Sequence, residues 1–476
     1  MKTSFLLSTV AACCTKPSSA FTSSSVRRTV PFLTSRQMTT KISISDAFDG
    51  GNGRSVLTDV ESSPMTVHVE MKKDPFTLLE KTHHSQYFSF RSTASDITKS
   101  TTVKYVVTNA GDASYPSAWK GSSTFYSNKI SDAHSWKRKV DTTYNEEKGE
   151  LSWTHTHETN ESVYFSYFPP YSYQRHLDLV ESCGSHAISL GQTLDGREME
   201  CIVLGKGSRV CWIIHRQHPG ETMAEYYCEG LLNRLLGQKQ SVDGLTRKSL
   251  EELYTFYIVP NMCLDGSVRG HLRTNAQGQN LNREWAPDTL EDGTIYDAPT
   301  LERSPEVYHV LQKMDETGVD VFLDVHGDEE LPFNFLAGGE GMKNWDSRLE
   351  TLHGAFLAAY TRANSDMQIP IGYEPEASGN GRINVASNQV QMRYDCLSVT
   401  LEQPFKDCMS NPDPVRGWNP ARAMQLGASV LDALAYVHPY LKGYDGDSLK
   451  DKFSTKEDAY VSPTEKYVEY FDKQEN

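Results

Sequence analysis

Apolar and polar residues alternate with period two through the first third of the chain. Tyr87-Phe88-Ser89-Phe90, the run from Thr102 to Val107, Leu151-Ser152-Trp153-Thr154 and the run from Val163 to Phe168 each fit a short strand with one face turned inward. Gly, Asn and Asp punctuate them, so residues 46–173 are expected to form an antiparallel β-sandwich. Pro169-Pro170 closes that pattern. Beyond it, apolar runs at 199–204, 209–214, 254–259, 319–325, 333–337 and 397–401 alternate with stretches of helical period. This predicts an α/β domain over 174–445, helices layered on a mixed, largely parallel sheet. Residues 301–316 place Val307, Val310, Leu311 and Met314 on one helix face behind Ser304-Pro305, and Asn419-Pro420 opens a second helix reaching Val437. From 446 to 476 the chain is charged and poor in aliphatics, which predicts a peripheral tail.

The first 45 residues contain no acid, while Lys2, Lys16, Arg27, Arg28, Arg36 and Lys41 are basic and Ser and Thr abound. That composition fits a targeting presequence over 1–45, removed or disordered in the working protein. A short apolar stretch, then Ser18-Ser19-Ala20 before Phe21, resembles the bipartite presequences of algae whose plastids have extra membranes, and implies a plastid destination. Translation from Met38 would give a cytoplasmic product instead. Over the whole chain 47 Lys and Arg face 62 Asp and Glu, a net charge of −15 that repels nucleic acid and anionic membrane surfaces. No apolar run approaches the ~20 residues of a spanning helix, so no membrane insertion is expected. Cys183, Cys201, Cys211, Cys228, Cys263, Cys396 and Cys408 are odd in number and sit mostly in apolar runs, which predicts buried free thiols.

The run at 209–214 leads straight into His215-Arg216-Gln217-His218-Pro219-Gly220-Glu221. A His and a carboxylate three apart in a strand-to-helix loop can point at one ion, although such a pair alone is weak. A second strand end supplies His326-Gly327-Asp328-Glu329, and open α/β sheets gather their ligands at such ends. Two imidazoles and one carboxylate leave a fourth position open, the pattern of a catalytic zinc.

His218-x-x-Glu221, the distant His326, Val259-Pro260-Asn261, Arg273, Asn282-Arg283 and Thr400-Leu401-Glu402 together resemble the zinc carboxypeptidase superfamily, in its cytosolic carboxypeptidase-like branch. The resemblance implies one zinc per chain held by His218, Glu221 and His326. It implies Arg273 as the residue that polarises the scissile carbonyl, Asn282 and Arg283 as the pair holding the terminal carboxylate, and Glu402 as the general base. It further implies a peptide or protein C-terminus as substrate and, for part of the branch, removal of acidic residues, glutamate especially. Arg382, the full charge in Gly379-Asn380-Gly381-Arg382-Ile383-Asn384, is then the cation for such a side chain, with a solvated loop arginine as the plain alternative. Two features depart from the family pattern. Asn280 stands where many members have an acid that orients a zinc-bound ring, and Tyr373 is only a candidate for the tyrosine that closes over the bound terminus. The rival readings are a zinc amidohydrolase of small N-acyl amino acids and a non-catalytic peptide-binding protein. His155-x-His157 reads as an exposed polar pair on a sandwich strand.

Overall fold

The computed structural model describes residues 41–95, 99–237, 247–290 and 292–453, so the expected leader up to residue 40 and the tail beyond 453 lie outside the described residues. Two five-stranded sheets occupy the first part. One runs in the order Lys41–Ser45, Ser89–Ser95, Ser162–Ser166, Thr124–Ser127, Lys137–Lys139, every neighbour antiparallel. Lys41–Ser45, read from composition as part of the leader, is thus an edge strand of that sheet. The other sheet runs Arg54–Asp59, Met65–Glu70, Thr101–Val107, Glu150–His157, Thr143–Asn145. It departs from the all-antiparallel expectation where Met65–Glu70 and Thr101–Val107 pair in parallel. Between those two strands the chain crosses to lay Ser89–Ser95 into the opposite sheet, and such a crossover is what a parallel pair requires.

The two sheets meet through aromatic rings. Trp153 stacks on Phe88 at 5.7 Å and on Tyr105 at 5.8 Å, and Phe165 lies 4.7 Å from Tyr105. Burying each such ring contributes about 1.5–3 kcal/mol, which is why these alternating positions specify the sandwich. The same alternation carries His155 and His157 inward behind Leu151 and Trp153, so they are buried, not exposed as expected. His157 Nε2 lies 2.6 Å from the Tyr105 hydroxyl, and His155 Nε2 lies 3.2 Å from Glu161 Oε2.

A seven-stranded sheet follows, built from β1 (Ala187–Gln192), β2 (Glu198–Gly205), β3 (Arg209–His215), β4 (Tyr254–Val259), β5 (Val321–Val325), β6 (Phe335–Ala337) and β7 (Leu397–Glu402). Its order is β1-β2-β4-β3-β5-β7-β6. The four central strands β4, β3, β5 and β7 are parallel, whereas β1, β2 and β6 pair antiparallel at the margins. The sheet is therefore mixed, with its parallel part confined to the middle. Helices Met223–Leu235, Ser347–Ala363 and Pro420–Val437 cover one face against Ile213, Leu323 and Val399. Pro305–Thr317 and Ala386–Tyr394 cover the other against Trp212, Ile214 and Phe322. Asn419 caps its helix as read from sequence, its Oδ1 accepting from the backbone of Ala421 and Arg422 at 3.1 and 3.3 Å, with Pro420 in the first turn.

The tail begins with a helix, Gly446–Phe453, that buries Leu449 and Phe453, so its first turns belong to the packed structure. The seven predicted cysteines are free and buried. No described helix is long and apolar enough to cross a membrane.

Candidate metal and peptide site

After β3 the chain goes to β4 on one side of it and then to β5 on the other, so the crevice beyond the carboxyl ends of β3 and β5 is the switch point of the sheet. The loop leaving β3 turns sharply there. Arg216 adopts a left-handed backbone (φ 56°), which an L side chain resists. Its guanidinium offsets that cost by donating to Pro219 O at 2.9 Å, Tyr171 O at 3.2 Å and Glu225 Oε2 at 2.6 Å. Gly220 is required for space, since a Cβ there would lie 2.9 Å from Leu272 O. The turn sets His218 and Glu221 side by side, with His218 Nδ1 2.6 Å from Glu221 Oε1.

The loop after β5 brings His326 to the same point. Its Nδ1 lies 3.2 Å from Nδ1 of His218 and 2.9 Å from Glu221 Oε2. Both outward-facing Nε2 atoms are engaged, His218 with Asn280 Oδ1 at 3.1 Å and His326 with Asp324 Oδ2 at 2.9 Å. Those oxygens accept, so each ring carries its proton on Nε2 and turns a lone pair at Nδ1 toward the shared space. Three buried donor groups thus converge with no proton to separate them, the arrangement a divalent ion fills. Charge agrees. Burial and the nearby Arg273 push His218 down to about 3, keeping it a neutral ligand. Burial also opposes charge on His326, yet Asp324 and Glu221 drive its pKa up, so the spot between them favours a positive charge. This donor set fits zinc, with three protein ligands and room for a fourth.

A cavity of about 550 Å³ opens over these groups. Arg273, Asn282, Arg283, Arg382, Tyr373 and Glu402 line it together with His218 and Glu221. Asn282 Oδ1 accepts from the backbone N–H of Ala386 at 2.9 Å. Arg283 Nη1 donates to Asn282 O at 2.6 Å while its buried Nε has no partner. Burial, with Arg273 and Arg382 beside it, lowers Arg283 to about 10. Glu402 ends β7 with Oε2 buried and unpartnered, and that burial raises its pKa well above the usual carboxylate range even though His326 pulls the other way. The Tyr373 hydroxyl donates to Asp328 Oδ2 at 2.5 Å.

Several residues that build the site were not read from sequence. Asp324 holds His326, and Gln217 holds Asp324 at 2.7 Å. Its signal was available: an acid alone in the apolar strand Val-Phe-Leu-Asp-Val needs a partner. Asp74 of the sandwich accepts the backbone N–H groups of Leu272, Arg273 and Thr274 at 2.8, 2.8 and 3.0 Å, fixing the loop that carries Arg273. Tyr115 of the sandwich also lines the cavity.

Beneath the Arg216 turn, Glu225 Oε1 lies 2.7 Å from His176 Nδ1, and His176 Nε2 lies 3.2 Å from Glu200 Oε2. Burial disfavours charge on His176, but the two carboxylates outweigh it and raise the pKa from 6.5 to about 9. A raised folded-state pKa means stabilisation that is complete below 6.5 and lost as pH climbs through about 9. The amount is on the order of 3 kcal/mol. The melting temperature should therefore fall between about pH 6 and about pH 10, and His176→Gln should flatten that fall. Parallel curves for the two proteins would exclude this contribution.

Residues 44–168 match the family described as the cytosolic carboxypeptidase N-terminal domain, and residues 171–392 match the zinc carboxypeptidase family. Glu402 lies past the end of that match, so its place in the site comes from the geometry. The structure of a metallo-carboxypeptidase from Pseudomonas aeruginosa in complex with (2-guanidinoethylmercapto)succinic acid is 37% identical, with a TM-score of 0.73 over 84% of this chain and 100% of that one. A metallo-carboxypeptidase from Burkholderia cenocepacia is 36% identical, with a TM-score of 0.74 over 84% of this chain and 99% of that one. An uncharacterised protein of Zymomonas mobilis is 41% identical over 398 residues, 83% of this chain and 96% of the relative.

Proposed function

Since the chain belongs to the zinc carboxypeptidase family, with the N-terminal domain of its cytosolic branch, we propose that this metallocarboxypeptidase is a zinc-dependent exopeptidase removing acidic residues, glutamate above all, from peptide or protein C-termini. His218, Glu221 and His326 hold the metal. A zinc ion held there would supply Lewis acidity to a carbonyl and to water, whose pKa falls from about 15.7 to about 7 on such an ion. Arg283 and Asn282 receive the terminal carboxylate, where a planar guanidinium can make two parallel hydrogen bonds and so fix the peptide end in register. Arg273, steadied by Asp74, donates where negative charge develops on the scissile oxygen. Glu402 takes a proton from the attacking water and returns it to the leaving amine.

One observation carries the acidic preference. Three guanidinium groups, Arg273, Arg283 and Arg382, line one cavity, and Nε of Arg283 with Nε and Nη2 of Arg382 are buried without partners. Unpaired buried donors of like charge are costly, and a substrate with two carboxylates, terminal and side-chain, relieves them. Arg382 rests over the Tyr296 ring at 5.4 Å, which leaves its edge for an anion.

The test is a set of peptides ending in Glu, Leu or Lys, assayed on wild type and Arg382→Ala. A charge-assisted hydrogen bond is worth about 1.5–3 kcal/mol, so the Glu-to-Leu ratio of kcat/KM should fall roughly 10- to 100-fold in the variant. An unchanged ratio removes Arg382 from the pocket. A second reading, preference for basic residues, draws support from Glu340, Glu374 and Glu376 in the cavity wall and from the guanidino group in the ligand of the Pseudomonas relative. Faster release of Lys than of Glu by wild type would select it.

A further inference from the structure

The side chain of Asn280 stands between the sandwich and the loop of His218. Its Oδ1 lies 3.1 Å from His218 Nε2, and its Nδ2 donates to Glu80 Oε1 at 3.0 Å. The amide has one orientation available. An ionised carboxylate only accepts, so Glu80 must face Nδ2, which turns Oδ1 to the ring, places the ring proton on Nε2 and leaves the lone pair on Nδ1.

Glu80 is itself held. Its Oε2 lies 2.9 Å from His84 Nε2, and backbone bonds between Thr77 and Thr82 close the hairpin that presents it. Asp74, at the base of the same hairpin, binds the loop of residues 272–274, so the hairpin and the site share one frame. Burial works against its charge, but the hydrogen bond from His84 and the field of Arg273 hold its pKa at about 2. Glu80 is ionised throughout the working pH range.

We propose that Glu80 is a positioning residue for metal binding: a carboxylate supplied by the N-terminal sandwich that acts through Asn280 to fix the tautomer of His218 and strengthen it as a ligand. The inference rests on His218 being a zinc ligand. His326 has its carboxylate directly, in Asp324. His218 has its own at one remove, because a carboxylate accepting from Nδ2 polarises the amide and makes Oδ1 a better acceptor for the ring N–H. This accounts for a neutral Asn at a position where an acid could have bonded the ring itself. It also gives the sandwich a part in the chemistry of the site.

The experiment measures zinc dissociation constants by competition with a chromogenic chelator, together with apo-protein melting, for wild type, Glu80→Gln, the double variant Glu80→Gln/Asn280→Asp, and His218→Ala. Loss of a partner behind a ligand typically weakens metal binding 10- to 100-fold, so E80Q should bind zinc roughly tenfold more weakly while its apo-protein melts close to wild type. In the double variant the amide introduced at position 80 can donate to the carboxylate introduced at position 280, which accepts directly from His218, and affinity should return to the wild-type value or better. A purely structural role would lower apo-protein melting without changing the affinity of the folded protein, and the exchange would not rescue it. E80Q affinity within about twofold of wild type, or a double variant no tighter than E80Q, overturns the proposal. If E80Q alone does not fold, the double variant decides: zinc held at least as tightly as by wild type is expected, and weaker binding overturns it. Wild type taking up no zinc, or His218→Ala binding it like wild type, overturns the metal reading and this proposal with it. Failure at Glu80 alone leaves the metal reading standing.

Discussion

Replacing Glu402 with Gln is expected to lower kcat by on the order of 10²- to 10⁴-fold while zinc content and KM stay near wild type. Glu402 ends β7, and it lines the same cavity as His218 and Glu221. Its Oε2 is buried without a hydrogen-bond partner. A carboxylate oxygen in that state adds no hydrogen bond to the fold and costs desolvation, so its presence calls for a chemical reason. Burial raises its pKa, and Glu221, Asp328 and Glu329 push the same way against the pull of His326. A base with a raised pKa accepts a proton more readily from water and can hold it until the amine leaves. Gln keeps the shape and loses only the proton chemistry. Because Gln has no charge to desolvate or neutralise on folding, apo-protein stability should hold or rise, which separates a catalytic loss from a folding defect. Turnover near wild type would reject the assignment.

The metal ligands and Glu402 were legible in local sequence because each follows an apolar run, whereas Arg273, Asn282 and Arg283 lie in polar loops and were reached only through the family resemblance. The run before His215 and the run before His326 mark adjacent parallel strands, and their loops must then meet. Period-two alternation likewise identified the sandwich through Phe88, Trp153 and Phe165, yet it carried no information about which strands pair. The parallel ladder of Met65–Glu70 with Thr101–Val107 was therefore invisible. β1 escaped notice because it is an edge strand with no fully buried residue, lacking the apolar run that marked its neighbours. His155 and His157 were misjudged by residue type, although their register with Trp153 already placed them inside. The contributions of Asp74 and Glu80 were out of reach for a different reason. Glu80 meets Asn280 across 200 residues of chain, and nothing in either local pattern indicates the other.

Amidating the C-terminus of a substrate peptide is expected to abolish its cleavage, a loss of roughly 100-fold or more. Asn282 Oδ1 is committed to the Ala386 N–H and its Nδ2 lies 3.4 Å from His326 Nε2, while Arg283, beside it in the cavity wall, keeps a buried Nε with no partner. Burial, and then the neighbouring Arg273 and Arg382, lower the pKa of that guanidinium to about 10, so a negative charge is what the spot lacks. A free carboxylate supplies the charge and both acceptors. An amide supplies one neutral acceptor and brings its own N–H donors against the guanidinium, so it leaves a buried cation unpaired. The loss should appear in both kcat and kcat/KM, because without the anchor the scissile bond is not held in register with Glu402 and Arg273.

The most direct measurement is a time course by mass spectrometry on the zinc-loaded protein with one Glu-ending peptide, offered as the free acid and as its C-terminal amide. A carboxypeptidase with this site shortens the free acid one residue at a time from its C-terminus and leaves the amide intact. Equal hydrolysis of the two peptides, or cleavage at an internal bond, would contradict the account.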